Sequence, residues 1–264
     1  MELGTDKVLA EREGGIGWLV FNRPERRNAI SLEMWRAIVT ALATYDADPE
    51  VRVVVMKGAG ERAFTAGADV TEFDEKRADA SAGELYKELS EGGRARMSAL
   101  RKPLVAMIRG FCLGGGLAIA MRADIRIASE DSVFGIPAAR LGLSYGIENL
   151  KMLTELVGPA YAKEMLFTAR RLDAAEAWRI GLVNRVVPVD ALEETVRAMA
   201  TTISENAPLT VEASKLTIDA ALKDPQERDM TRLDALAAAC LDSADYAEGR
   251  RAFREKRKPV FTGR

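Results

Sequence analysis

The sequence predicts an α/β fold. Three observations carry this: short strand-like runs alternate with helical stretches from Lys7 to Val187, a run of three glycines separates one such strand from an apolar helical run, and the pattern turns wholly helical after Val187. Alternation of this kind favours a largely parallel sheet covered by helices.

The elements follow in order. Lys7 to Glu11 and Gly17 to Phe21 read as strands, and Gly14-Gly15 between them reads as a hairpin turn. Ser31 precedes Leu32, Trp35, Ile38, Val39 and Leu42 at helical spacing, so it is an N-cap candidate, and Asp48-Pro49 stops that helix. Further strand-like runs are Val51 to Lys57, Leu104 to Ile108, Asp124 to Ala128 and Asn184 to Val187. Helices are expected near Asp190 to Glu205, Leu209 to Lys223, Asp224 to Ser243 and Asp245 to Arg257. The chain accordingly divides into an α/β core, 1–190, and a helical C-terminal region, 191–264. The stripe Leu233, Leu236, Ala237 and Cys240 in that region serves either as core or as a subunit contact.

Composition narrows the chemistry. With 264 residues, 48% hydrophobic and 30% charged, the chain can bury a full core. Its 38 Lys and Arg against 40 Asp and Glu leave a net charge of -2, so no global field draws it to nucleic acid or an anionic membrane. It contains no histidine, which removes Ser-His-Asp and Cys-His nucleophiles, His metal sites and His proton shuttles. Cys112 and Cys240 have no zinc or redox spacing and are expected as free thiols in a reducing compartment. The opening MELGTDKVLAEREGG reads as no secretory leader, and Leu104 to Met121 is interrupted by Arg109 and glycines, so a cytoplasmic protein without a membrane span is expected.

Two glycine clusters bear on function. In Gly110 to Met121, GFCLGGGLAIAM, three glycines precede a helical run that begins at Leu117. Bare backbone N–H groups at a helix start favour an anion, although the same glycines also suit close helix packing. In Gly58 to Val70, GAGERAFTAGADV, the residues Gly58, Gly60 and Ala63 match a dinucleotide-type string. The context fails it: Phe64 to Asp69 reads as loop, where that fingerprint opens a helix, and the acid expected farther on falls in the charged stretch Glu72 to Asp79. No glycine cluster is followed by the Lys-Ser/Thr of a P-loop.

Taken together, NRPERRNAIS (Asn22 to Ser31), AFTAGADV (Ala63 to Val70), GFCLGGGLAIAMRADIRIAS (Gly110 to Ser129), Leu141 to Leu143 and EGRRAFREKRKPVF (Glu248 to Phe261) resemble the enoyl-CoA hydratase/isomerase, or crotonase, superfamily. The resemblance implies a crotonase-like spiral of ββα units, a homotrimer or dimer of trimers, and an acyl-CoA thioester as substrate, with coenzyme A belonging to the substrate and no other cofactor. It implies two backbone N–H groups on the thioester oxygen, which fall on Ala66 and Gly115, and coenzyme A contacts at Arg26, Ala66, Ala68, Asp69 and Lys256. Arg27 and Lys258 are either further phosphate contacts or a solvated charged face.

The sequence departs from the family's hydratases at two positions. Where they carry catalytic glutamates this chain has Ala118 and Ala138, and alanine supplies no group to work on water. LGLSYGIENLKML (Leu141 to Leu153), Glu205 to Thr210 and Asp242 to Gly263 are similar to the methylmalonyl-CoA decarboxylase-like branch, whose active-site tyrosine falls on Tyr145. That branch has a histidine where Ala68 stands here. Loss of CO₂ from a malonyl-type thioester forms the enolate without a base, so a decarboxylase-like or lyase reaction is the leading expectation. The alternatives are an enoyl-CoA hydratase using Glu148 or Tyr145, and a non-catalytic acyl-CoA-binding paralogue. Tyr145 has the alternative reading of a packing aromatic, and the acyl pocket is expected along Phe73 to Met97.

Overall fold

The structure is a computed structural model that describes residues 1–69 and 80–264. Two sheets organise it. The first has six strands in the order β1 (Val8–Glu13), β2 (Ile16–Phe21), β3 (Val53–Gly58), β5 (Leu104–Ile108), β7 (Ile125–Ser129) and β10 (Arg185–Val187). These are the six runs read from the sequence, with ends shifted by up to two residues. β1 and β2 pair antiparallel with Glu13 opposite Ile16, so Gly14-Gly15 forms the expected two-residue turn, and every other neighbour pair is parallel. The second sheet has four three-residue strands in the order β4 (Ala63–Thr65), β6 (Phe111–Leu113), β8 (Val133–Gly135) and β9 (Arg171–Asp173).

The chain alternates between the sheets, and this is the ββα spiral the resemblance implied. β3 leads to β4, then to helix α2 (Ala80–Ser98); β5 leads to β6, then to α3 (Gly115–Ala120); β7 leads to β8, then to α4 (Ile147–Thr168), which breaks at Gly158-Pro159. The loops leaving the short strands therefore gather at one edge of the small sheet. Two expectations are corrected here. Phe64-Thr65 is strand rather than loop, and the glycine helix opens at Gly115 rather than Leu117. Glu72 to Asp79 and residues 73–79 of the expected acyl pocket lie outside the described residues.

Helices close both faces of the large sheet. On one side α1 (Leu32–Ala47), capped by the Ser31 hydroxyl accepting from the Met34 N–H at 3.3 Å, buries Trp35, Ile38, Leu42 and Tyr45. Tyr45 fixes its register by donating to the Trp18 carbonyl at 2.7 Å. On the other side α6 (Leu192–Glu205), which follows α5 (Ala174–Arg179), sets Leu192, Val196 and Ala200 against Trp18, Val53, Val55 and Val105. The start of the helical region is thus part of the sheet's packing. The later helices α7 (Pro208–Ala221) and α8 (Met230–Leu241) bury no residue in the single chain. The stripe Leu233, Leu236, Ala237 and Cys240 accordingly does not form core here: Leu233, Leu236 and Cys240 are half-buried and Ala237 is exposed. Asp224 to Ser243 is also not one helix, because a 3₁₀ turn at Pro225–Glu227 precedes α8.

The last helix, α9 (Ala244–Glu255), holds the tail that follows it. The buried Asp245 carboxylate accepts from the Thr262 N–H at 2.7 Å and the Gly263 N–H at 2.8 Å, and Arg52 donates to the Thr262 carbonyl at 3.2 Å. Cys112 and Cys240 are free thiols. Among the described residues no helix is long and apolar enough to cross a membrane, and no group of side chains has metal-site composition.

Candidate active site

The site is built from three loops, and a buried asparagine positions the first. Asn28 is fully buried with φ 55°, a left-handed conformation that asparagine tolerates better than most residues. Its amide donates to the Ala59 and Ala63 carbonyls at 2.9 and 2.7 Å and accepts from the Arg23 N–H at 2.9 Å. This ties the NRPERRN loop to the start of β4. Arg23 then reaches the buried Asp69 carboxylate at 2.8 Å, and the Arg27 carbonyl accepts the Ala66 N–H at 3.0 Å.

That last bond corrects the expected donor pair. The N–H of Ala66 is engaged inside the scaffold, so it cannot also hold a thioester oxygen. Two residues on, Ile30 runs parallel to Ala68: the Ile30 N–H donates to the Gly67 carbonyl at 2.8 Å and the Asp69 N–H donates to the Ile30 carbonyl at 3.2 Å. Alternation along an extended segment turns the Ala68 N–H away from Ile30, and it has no acceptor among the described residues. It faces α3. A Cβ placed on Gly115 would lie 3.4 Å from the Ala68 nitrogen, and one placed on Gly67 would lie 2.9 Å from the Gly115 nitrogen. Gly115 is the first residue of α3, where an N–H has no intrahelical acceptor. Two unengaged N–H groups therefore meet at the junction of the β4 and β6 loops, at Ala68 and Gly115.

Glycine is required for this approach at two points. Gly67 has φ 98°, and a Cβ on Gly116 would stand 2.2 Å from the Thr65 carbonyl oxygen. The glycine cluster packs closely, as glycine-rich backbone allows, and leaves the Gly115 N–H without an intrahelical acceptor.

Comparison with known proteins agrees along the whole chain. Residues 11–264 match the family described as enoyl-CoA hydratase/isomerase. The chain belongs to this family. It is 36% identical to a short-chain-enoyl-CoA hydratase of Clostridium acetobutylicum, covering 98% of this chain and 97% of that protein. It is 34% identical to a crotonyl-CoA hydratase of Syntrophomonas wolfei, over 98% and 99%. Among solved structures, one described as an enoyl-CoA hydratase/carnithine racemase from Magnetospirillum magneticum superposes with a TM-score of 0.93 at 40% identity, covering 98% of this chain and 97% of that one.

At the two positions where the resemblance places hydratase glutamates, this family member has buried methyl groups. Ala118 on α3 and Ala138 in the 3₁₀ turn Pro137–Leu141 are 2% and 6% exposed, within the same apolar core as Cys112 and Ile136. Tyr145 packs against that core just before α4, so it is not itself on the helix, while Glu148 lies exposed in the helix's first turn. Burial pushes the Tyr145 phenol well above the usual tyrosine range, with the Arg94 charge opposing the shift. The stability linked to the neutral phenol is therefore fully present at neutral pH and is lost as pH rises past about 10. In a spectrophotometric titration of the folded protein, Tyr145→Phe should leave the phenolate signal below about pH 11 unchanged. Loss of one tyrosine's share of that signal would mean that water reaches the hydroxyl freely.

The expected coenzyme A contacts separate. Arg26 and Arg27 are exposed beside the site, and the Arg27 guanidinium lies 5.3 Å from the centre of the Phe111 ring. Ala68 supplies an N–H, whereas the Asp69 carboxylate is engaged by Arg23 and so positions the loop. Lys258 pairs with Glu205 at 2.5 Å, which favours its reading as a charged surface residue. Lys256 ends α9, exposed, in a tail anchored by Arg52 at the entry of β3, the strand end opposite the crossing to β4. Within one chain it is not gathered with the three loops.

Proposed function

We propose that the protein binds an acyl-CoA thioester and stabilises its enolate with the N–H groups of Ala68 and Gly115, while Arg26 and Arg27 take up coenzyme A phosphate. The observation that carries this reading is the pair of unengaged N–H groups on loops that backbone hydrogen bonds tie to their neighbours. Donors preorganised on a developing oxyanion typically supply about 10²- to 10³-fold in rate each. The proposal includes a homotrimer or dimer of trimers, no resident cofactor, and action in the cytoplasm.

Within that class, hydration of an enoyl-CoA is the first reading, supported by relatives named as hydratases that match over nearly their full length. With Ala118 and Ala138 unable to move a proton, water is handled by Glu148 or by a Tyr145 hydroxyl. The two alanines favour a second reading, a decarboxylase-like lyase step. Breaking the bond to the departing carboxylate leaves its electron pair on the α-carbon and carbonyl oxygen, where the two donors suffice and no base is needed.

The test is titration with coenzyme A at low and high salt, followed by incubation with crotonyl-, malonyl-, methylmalonyl- and 3-hydroxybutyryl-CoA and mass spectrometry of the products. Water gained by crotonyl-CoA, with a fall of about 10²-fold or more in Glu148→Gln or Tyr145→Phe, supports hydration. Loss of CO₂ from a malonyl-type thioester, slowed in Tyr145→Phe, supports the lyase. Binding without turnover of any thioester identifies an acyl-CoA-binding paralogue, and absence of coenzyme A binding at low salt overturns the whole reading.

A further inference from the structure

We infer that Arg171, together with Arg27, forms a clip for a phosphate of coenzyme A, with the Phe111 ring holding both guanidinium groups in place. The inference rests on the acyl-CoA reading above and adds to it a binding residue, Arg171, from the edge strand of the small sheet. Phe111 opens β6, where Cys112 is buried while Phe111 and Leu113 are half-buried, so the Phe111 ring stands on the outer face of that sheet. The Arg27 guanidinium lies 5.3 Å and the Arg171 guanidinium 5.7 Å from the centre of this one ring. Both arginines are exposed.

The fold brings the two arginines to the ring from different sides. The backbone of Arg27 is fixed beside β4, because its carbonyl accepts the Ala66 N–H at 3.0 Å and its own N–H donates to the Pro24 carbonyl at 3.1 Å. Arg171 stands on β9 opposite Gly135 of β8, which in turn stands opposite Leu113 of β6. Glycine has no side chain, so nothing of β8 rises between Arg171 and β6 in that row. The next residue along β9, Leu172, takes the inner face and joins the core with Cys112, which turns Arg171 to the face that bears Phe111.

Neither guanidinium is paired with a carboxylate among the described residues; the ring is what both touch. The acids on the segments that carry or receive these side chains are engaged by other groups. Glu25 and Asp69 face Arg23 at 4.0 and 2.8 Å, Glu61 faces Arg109 at 3.2 Å, and Glu176 faces Arg170 at 2.6 Å. Asp173 caps α5 by accepting from the Glu176 N–H at 2.7 Å. Two cations gathered at one aromatic ring suit a phosphate, whose oxygens fit the guanidinium fork. Position points to coenzyme A as its source. The strand sets the Phe111 backbone about 7 Å back from Leu113, on the side away from Gly115. Coenzyme A carries its phosphates at the end of the pantetheine arm remote from the thioester, so one molecule reaches both the Ala68 and Gly115 N–H groups and the clip.

The experiment is calorimetric titration of the full-length protein at low salt with coenzyme A and with 3′-dephospho-coenzyme A. Arg171→Gln should bind coenzyme A about tenfold more weakly than the wild type, as expected for the loss of one charge-assisted contact. Arg185→Gln, which removes an exposed arginine from β10 at the far edge of the large sheet, should match the wild type. The ligands separate the two kinds of phosphate: an equal loss with 3′-dephospho-coenzyme A puts the diphosphate in the clip, and a loss confined to coenzyme A puts the 3′-phosphate there. Arg171→Lys keeps the charge without the planar fork and should lose about threefold, and it decides alone if the glutamine variant does not fold. Affinity for coenzyme A within about twofold of the wild type in Arg171→Gln, or the same loss in Arg185→Gln, overturns the inference while the acyl-CoA reading stands. Failure of the wild type to bind coenzyme A at all would instead bring down that reading, and this inference with it.

Discussion

Gly115→Pro should lower turnover of whichever thioester serves as substrate by about 10²-fold or more and leave the fold intact. Proline lacks the N–H, so one of the two proposed oxyanion donors disappears and ring carbon occupies the space it faced. The first position of a helix is also where proline is best tolerated, because its missing N–H has no intrahelical partner there. The preceding Gly114, at φ 54° and ψ -120°, is outside the helical region that a following proline disfavours. Circular dichroism should overlay the wild type, coenzyme A should still bind, and kcat should carry the loss. A folded variant with near-native kcat would reduce Gly115 to a packing residue.

Asn28→Ala should lower the melting temperature by about 10 °C. Three backbone groups, the Ala59 and Ala63 carbonyls and the Arg23 N–H, lose the side chain that satisfies them. An unsatisfied buried group costs about 1–3 kcal/mol, and alanine in the left-handed region adds about 1 kcal/mol. Partial relaxation brings the sum to about 4 kcal/mol, and a chain of this size shifts by roughly 2–4 °C per kcal/mol. Asn28→Gly should recover about 1 kcal/mol of the loss, because glycine carries no left-handed penalty. Thermal unfolding followed by circular dichroism reads both, and a drop below about 3 °C in Asn28→Ala would show that the loop does not depend on this side chain.

How much could be read in advance depends on how local the signal is. All six strands of the large sheet stand out in the sequence because each contains an apolar run, short in β1 and β10. The small sheet does not, since three residues are too few to show alternation, and Ala63–Thr65 looked like loop for that reason. Helix α2 was hidden by its many charged residues and glycines, and α4 by its internal Gly158-Pro159 break. In the site, the glycine loop was legible from its motif, while Gly115 came from the family resemblance and not from the helix start, which the sequence put at Leu117. Ala66 and Ala68 are chemically identical and two residues apart, so only the distant carbonyl of Arg27, which engages one of them, separates them. Arg94 lies on α2 and Arg122 on the turn that ends α3, and no spacing in the sequence announces that both line one cavity.

The proposed oxyanion site, made of main-chain donors, has a consequence for mutagenesis. Side-chain scanning would find Ala68 and Gly115 nearly silent, because substitution leaves the peptide N–H in place wherever the backbone holds its course. The sensitive positions in such a scan would be Asn28, Gly67 and Gly116, none of which donates to the thioester. Residues that steer the main chain, rather than residues that touch substrate, would then mark this site in a map of tolerated variation.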